Sequence, residues 1–146
     1  MIQGALNSKT SRGIIDAIPP VSDYMQVYHY TNSHDIGKQY LQLLDELVQV
    51  NDETVAGWLN VNPRTYRNYK QQDQELKGNI KEHIVLLLAL YKRGIELFGS
   101  AVGFKTWLTA KNHLLDGKMP AQFLDAFSGI QFINSRLTAM EYGENV

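Results

Sequence analysis

Ile80-Lys81-Glu82-His83-Ile84-Val85-Leu86-Leu87-Leu88-Ala89-Leu90-Tyr91-Lys92-Arg93-Gly94-Ile95-Glu96-Leu97-Phe98 decides the fold. At about 100° per residue, Ile80, Ile84, Leu87, Leu88, Tyr91, Ile95 and Phe98 fall on one face of a helix. Leu86, Leu90 and Leu97 form a second apolar stripe well off the first, and Lys81, Lys92, Arg93 and Glu96 fill the remaining side. A helix with two apolar stripes has two neighbours. One is its own domain; the other is a second layer, built either from the C-terminal helices or from another copy of the chain. Gly99 follows in the position of a C-terminal cap.

Upstream, Leu41, Leu44, Leu47 and Val48 recur at helical spacing. Asn51 or Asp52 is placed to cap a second helix over Glu53 to Leu59, with Val55, Trp58 and Leu59 inward. In Asn60-Val61-Asn62-Pro63, Asn62 suits an N-cap and Pro63 the first helical position, where a missing N–H costs nothing. A third helix then runs to about Gln72, and Leu76 and Gly78 mark the exit. Downstream, short helices are expected over Ala101 to Leu108, from Pro120 to Phe127 with a stop at Ser128-Gly129, and from Ile130 to Tyr142. No alternating strand pairs with turn signals occur in that half. The expectation is an all-α protein in three parts: an N-terminal arm over 1–34, a helix-turn-helix region over 35–78 and a C-terminal helical domain over 79–146.

The arm reads differently from the rest. Ser8, Ser11, Gly13, Pro19-Pro20, Asn32 and Ser33 interrupt any sustained helical period. It is expected to be partly ordered at best, docking through Ile14, Ile15 and Ile18. Tyr24, Met25, Val27, Tyr28 and Tyr30 fit either a short strand or an extended docking segment.

Composition narrows the function. The 146 residues are 44% hydrophobic and carry a net charge of −1, which argues against coating nucleic acid through bulk charge. The chain has no cysteine, which removes disulfides and thiolate metal sites and fits a cytoplasmic protein. Its start lacks the pattern of a secretory signal. The longest apolar run, Ile84 to Tyr91, falls short of the roughly 20 residues that span a bilayer, so no membrane partner is expected. His29, His34, His83 and His113 are scattered over different predicted elements, and no metalloprotease, phosphate-loop or serine-nucleophile motif occurs. No catalytic residue, metal site or cofactor is expected.

Two constellations remain. In the helix-turn-helix region, the second helix offers Arg64, Thr65, Arg67, Asn68 and Lys70, with Arg64, Arg67 and Lys70 three apart on one oblique stripe. Arginine bonds guanine bidentately, asparagine adenine, and lysine or threonine holds phosphate. The same residues also suit an ordinary solvated helix. The C-terminal half contains Phe98-Gly99, Trp107-Leu108, Asn112, Leu115-Asp116-Gly117-Lys118-Met119-Pro120, Leu124-Asp125, Gly129 and Glu141-Tyr142-Gly143. Taken singly, Trp107 and the leucines suit a core, Gly117 a turn, Pro120 a helix start, and Gly129 and Gly143 helix ends.

Together, their order and spacing resemble the toxin-binding domain of the Xre/MbcA/ParS-like antitoxins, and Val61-Asn62-Pro63-Arg64-Thr65-Tyr66 resembles the start of that family's Xre-like recognition helix. The resemblance implies an antitoxin that blocks the active-site cleft of a RES-domain, NAD-consuming toxin. On that basis the toxin-binding surface is the last helix and tail: Arg136, Glu141, Tyr142, Gly143, Glu144, Asn145 and Val146. It further implies a homodimer on operator DNA, paired through Leu86, Leu90 and Leu97 or through apolar residues of the arm. Arg67-Asn68-Tyr69 stands where the family often has consecutive arginines, which predicts weak operator affinity. A stand-alone transcriptional repressor is the alternative; it leaves the motif from Trp107 to Gly143 unexplained.

Overall fold

A computed structural model describes residues 9–143. Eight α-helices follow in order: α1 (Lys9–Ala17), α2 (Tyr24–Ser33), α3 (Lys38–Val48), α4 (Asp52–Leu59), α5 (Pro63–Gln71), α6 (Gly78–Phe98), α7 (Ala101–Leu108) and α8 (Phe127–Glu141). Two 3-10 turns, His113–Leu115 and Pro120–Phe123, join α7 to α8. Among the described residues there is no β-sheet, only an isolated bridge between Asn112 and Lys118. No described helix is long and apolar enough to cross a membrane. The fold is all-α.

α6 is the axis. Ile84, Val85, Leu87, Leu88, Leu90 and Ile95 are wholly buried, and α1, α2, α3, α4, α7 and α8 all pack on this one helix. Such a helix is apolar nearly all round because it has neighbours nearly all round. Side chains from all eight helices join one continuous hydrophobic core. Gly94 lets α7 approach: a Cβ there would lie 2.3 Å from the Phe104 ring.

The N-terminal segment departs from expectation. Residues 9–33 form two helices rather than a partly ordered arm, and Tyr24 to Tyr30 lie in α2 rather than in a strand or an extended segment. Ile15, Ile18, Val21, Val27 and Tyr30 all enter the core. Tertiary contacts hold these short helices, whose own hydrogen bonds would not suffice in isolation. Lys92 Nζ reaches the carbonyls of Asp16 and Ile18 at 3.4 Å. Gln131 Nε2 donates to the Val21 carbonyl at 3.1 Å. The Tyr30 and Tyr40 hydroxyls bond each other at 2.7 Å inside the core.

Two further expectations change. Leu86 and Leu90 are buried within one chain, with α2 packed on α6, so that stripe is not available to a second copy. The segment from Pro120 ends as a 3-10 turn at Phe123, and Ser128-Gly129 belong to the first turn of α8 instead of stopping a helix.

Candidate functional site

The pair α4 and α5, where the sequence suggests a helix-turn-helix, is set by local chemistry. The Asn51 carboxamide oxygen accepts from Thr54 N at 2.9 Å and caps α4. The Asn62 oxygen accepts from Thr65 N at 2.8 Å and caps α5, with Pro63 at its first position. Asn60 closes α4 in the left-handed conformation at φ 59°, one that asparagine tolerates better than most residues. Tyr66 is fully buried and its hydroxyl donates to Asp45 Oδ1 at 2.5 Å. Burial, and then that hydrogen bond, push its pKa up.

Of the five residues considered for DNA, Arg64, Arg67 and Asn68 are exposed along α5, and Thr65 is half-buried. Lys70 turns inward. Its ammonium donates to Asp45 Oδ2 at 2.6 Å and Asp52 Oδ1 at 2.7 Å, and lies 4.5 Å from the centre of the Tyr66 ring. Burial alone lowers the Lys70 pKa, but the hydrogen bonds and charges of the two aspartates outweigh it and hold the pKa raised. Lys70 is therefore engaged in joining α3, α4 and α5. Arg67 also lies 3.8 Å from Asp52, with its side chain about half exposed.

The C-terminal motif residues resolve into specific tasks. Trp107 is half-buried and rests on an aromatic cluster, 5.8 Å from Phe98 and 6.2 Å from Phe104, centroid to centroid. Asn112 caps the first 3-10 turn: its side-chain oxygen accepts from Leu114 N at 2.9 Å, and its carbonyl accepts from Leu115 and Gly117. Gly117 takes φ 76°, and Pro120 is buried at the start of the second turn. Gly129 is not a helix end. A Cβ there would lie 1.8 Å from the Phe123 carbonyl oxygen, so glycine is what allows α8 to start directly beneath the turn.

That turn is held by three side chains from the rest of the molecule. Trp58 Nε1 donates to the Ala121 carbonyl at 3.1 Å, His83 Nε2 to Leu124 at 2.8 Å and Asn60 Nδ2 to Asp125 at 2.9 Å. Two of the donors belong to the end of α4, so the α4–α5 pair and the C-terminal segment meet at the backbone carbonyls of Ala121 and Asp125. Burial lowers the His83 pKa, offset in part by its bond to Leu124 and the charge of Asp125.

α8 turns Ile130, Ile133 and Leu137 inward. Its outer side carries Phe132, Ser135 and Tyr142, with half-buried Arg136 at the edge. Phe132 is 41% exposed and packs 5.3 Å from Phe123, while Tyr142 is 81% exposed. Phe132 was not among the residues singled out from the sequence, although its place opposite the inward stripe of α8 was there to read. Glu141 is engaged within the chain: it pairs with Arg93, whose other nitrogen donates to Asn134 Oδ1 at 2.7 Å. Gly143 ends the helix at φ 81°. Glu144, Asn145 and Val146 lie outside the described residues. Among those described, no group of three histidine, aspartate or glutamate side chains is placed to hold a metal ion.

Fold and site together define an all-helical protein in which the α4–α5 pair is tied to a C-terminal segment through the carbonyls of Ala121 and Asp125. Residues 93–143 match the family described as the antitoxin Xre/MbcA/ParS C-terminal toxin-binding domain. That match, over about a third of the chain, supports an antitoxin role with a toxin as partner. No curated protein matches the chain.

Proposed function

We propose that this chain is the antitoxin of a RES-domain, NAD-consuming toxin in the cytoplasm, and that it acts by covering the toxin's active-site cleft without catalysis of its own. The carrying observation is the match over residues 93–143, within which α8 and its cap expose Phe132 and Tyr142, with Arg136 half-buried one turn on from Phe132. Aromatic residues and arginine are the side chains that most often dominate binding energy at protein interfaces. A guanidinium on that side suits a carboxylate of the toxin, which it can grip through two parallel hydrogen bonds. Glu141 contributes by fixing Arg93 rather than by direct contact. The tail residues Glu144, Asn145 and Val146 join this surface on the family resemblance alone.

Co-expression with the neighbouring gene tests this reading. A toxin-sized partner retained through gel filtration, together with restored growth, is the expected result. Restored toxicity on deleting residues 143–146 assigns part of the occlusion to the tail; unchanged neutralisation removes the tail from the mechanism.

A second activity, repression of its own operon, is supported by the exposure of Arg64, Arg67 and Asn68 on a capped second helix. With Lys70 committed to Asp45 and Asp52, fewer cations are left for phosphate, which favours weak, salt-sensitive binding. Binding to a palindromic operator needs two copies, so a homodimer belongs to this activity. A gel shift with the chain's own promoter at two salt concentrations, paired with light scattering, checks both.

A further inference from the structure

We propose that the outer face of α2 is a second contact surface for the toxin, continuous with the toxin-binding domain; this rests on the antitoxin reading above. Tyr24, Met25 and Tyr28 are 68%, 68% and 60% exposed and stand together on the first turns of α2. Scattered apolar residues on a surface are ordinary, but three large ones on one helix face form a patch. The whole helix, Tyr24–Ser33, contains no lysine, arginine, aspartate or glutamate. Charge depletion with tyrosine and methionine enriched is the composition of an interface centre.

The patch adjoins the matched domain. A groove of about 240 Å³ is walled by Tyr24 and Val27 on one side and by Phe127, Ser128 and Gln131 of α8 on the other, with Leu86 of α6 also lining it. The far wall lies inside residues 93–143. A body seated on the outer side of α8 therefore reaches α2 across this groove. The single charge lining the groove is Glu82, which favours a basic or polar hydrogen-donating side chain from the toxin there.

The surface is also held in place beforehand. Asp23 caps α2 through Gln26 N at 3.1 Å, Gln131 ties the preceding turn to α8, and Val27 and Tyr30 are buried beneath. A partner need not order it, which removes a usual cost of association. A second copy fits this face less well. Pairing two chains through α2 by a two-fold axis would set each groove, and the α8 edge beside it, against the other copy and compete with the toxin.

The test uses the full chain and the partner retained in the co-expression experiment above. Binding is measured by calorimetry for the wild type, for the double variant Tyr24→Ser/Tyr28→Ser and for Phe132→Ser, with melting curves and light scattering on each. The expected result is a Kd weakened about tenfold or more in the double variant, at unchanged melting temperature and unchanged mass. A double variant that binds within about twofold of the wild type overturns the proposal. So does a wild-type dimer that the double variant splits, since the face then belongs to a second copy. A wild type that binds no toxin is a different failure, that of the antitoxin reading itself.

Discussion

Gly129 shows how a single residue can be right in a motif and wrong in its local explanation. Ser128-Gly129 reads as a helix stop because glycine commonly ends helices. Its actual task is steric, and the neighbour that imposes it, the Phe123 carbonyl, follows from tertiary structure rather than from a local pattern. Gly129→Ala is expected to lower stability by about 1–3 kcal/mol, seen as a lower melting temperature, because backbone rather than a flexible side chain must move. Lys70 is a parallel case. Its spacing with Arg64 and Arg67 is visible in the sequence, but the two aspartates that capture it come from α3 and from the start of α4. Lys70→Ala should therefore destabilise the fold by on the order of 1–2 kcal/mol, whereas Arg64→Ala should leave the melting curve unchanged and weaken any operator binding. His83 gives a pH signature. Its folded pKa lies below the ordinary 6.5, so the unfolded chain binds the extra proton first and stability falls as pH drops below about 6.5. Thermal melts at about pH 7.5 and about pH 5.5 should show this loss, and His83→Gln should flatten it.

At the scale of elements, the helices that carry their own signals were the legible ones. Asn51 and Asn62 announce α4 and α5 by capping chemistry that acts within three residues. α6 announces itself by length and period. α1 and α2 do neither. α1 has nine residues with Gly13 inside, and α2 places large aromatic side chains on both its buried and its exposed sides, which blurs the period. Their helicity comes from the α6 surface they cover. The joint at residues 121–125 was likewise invisible, since Trp58, Asn60 and His83 are far from it in sequence. Trp58→Phe keeps the ring and removes the donor, leaving the Ala121 carbonyl with the longer bond from Leu124 N, at 3.3 Å, in place of two. A loss of about 1 kcal/mol is expected, with faster hydrogen exchange near Ala121 as the local readout.

At the scale of the molecule, one core spans residues that the sequence divides into arm, helix-turn-helix and C-terminal domain. Removing residues 1–33 should uncover Leu86 and neighbouring apolar surface on α6 and yield a chain that aggregates or melts at lower temperature, as gel filtration and calorimetry would report.

The matched segment begins at Arg93, in the last third of α6, while the helix itself begins at Gly78. Family membership and physical autonomy thus have different borders. A chimera joined at Arg93 would split α6 between its parents, and every layer around it would have to be co-adapted to both pieces. Recombination between relatives is therefore tolerated only where whole α6 helices, with the surfaces they carry, are exchanged as one piece.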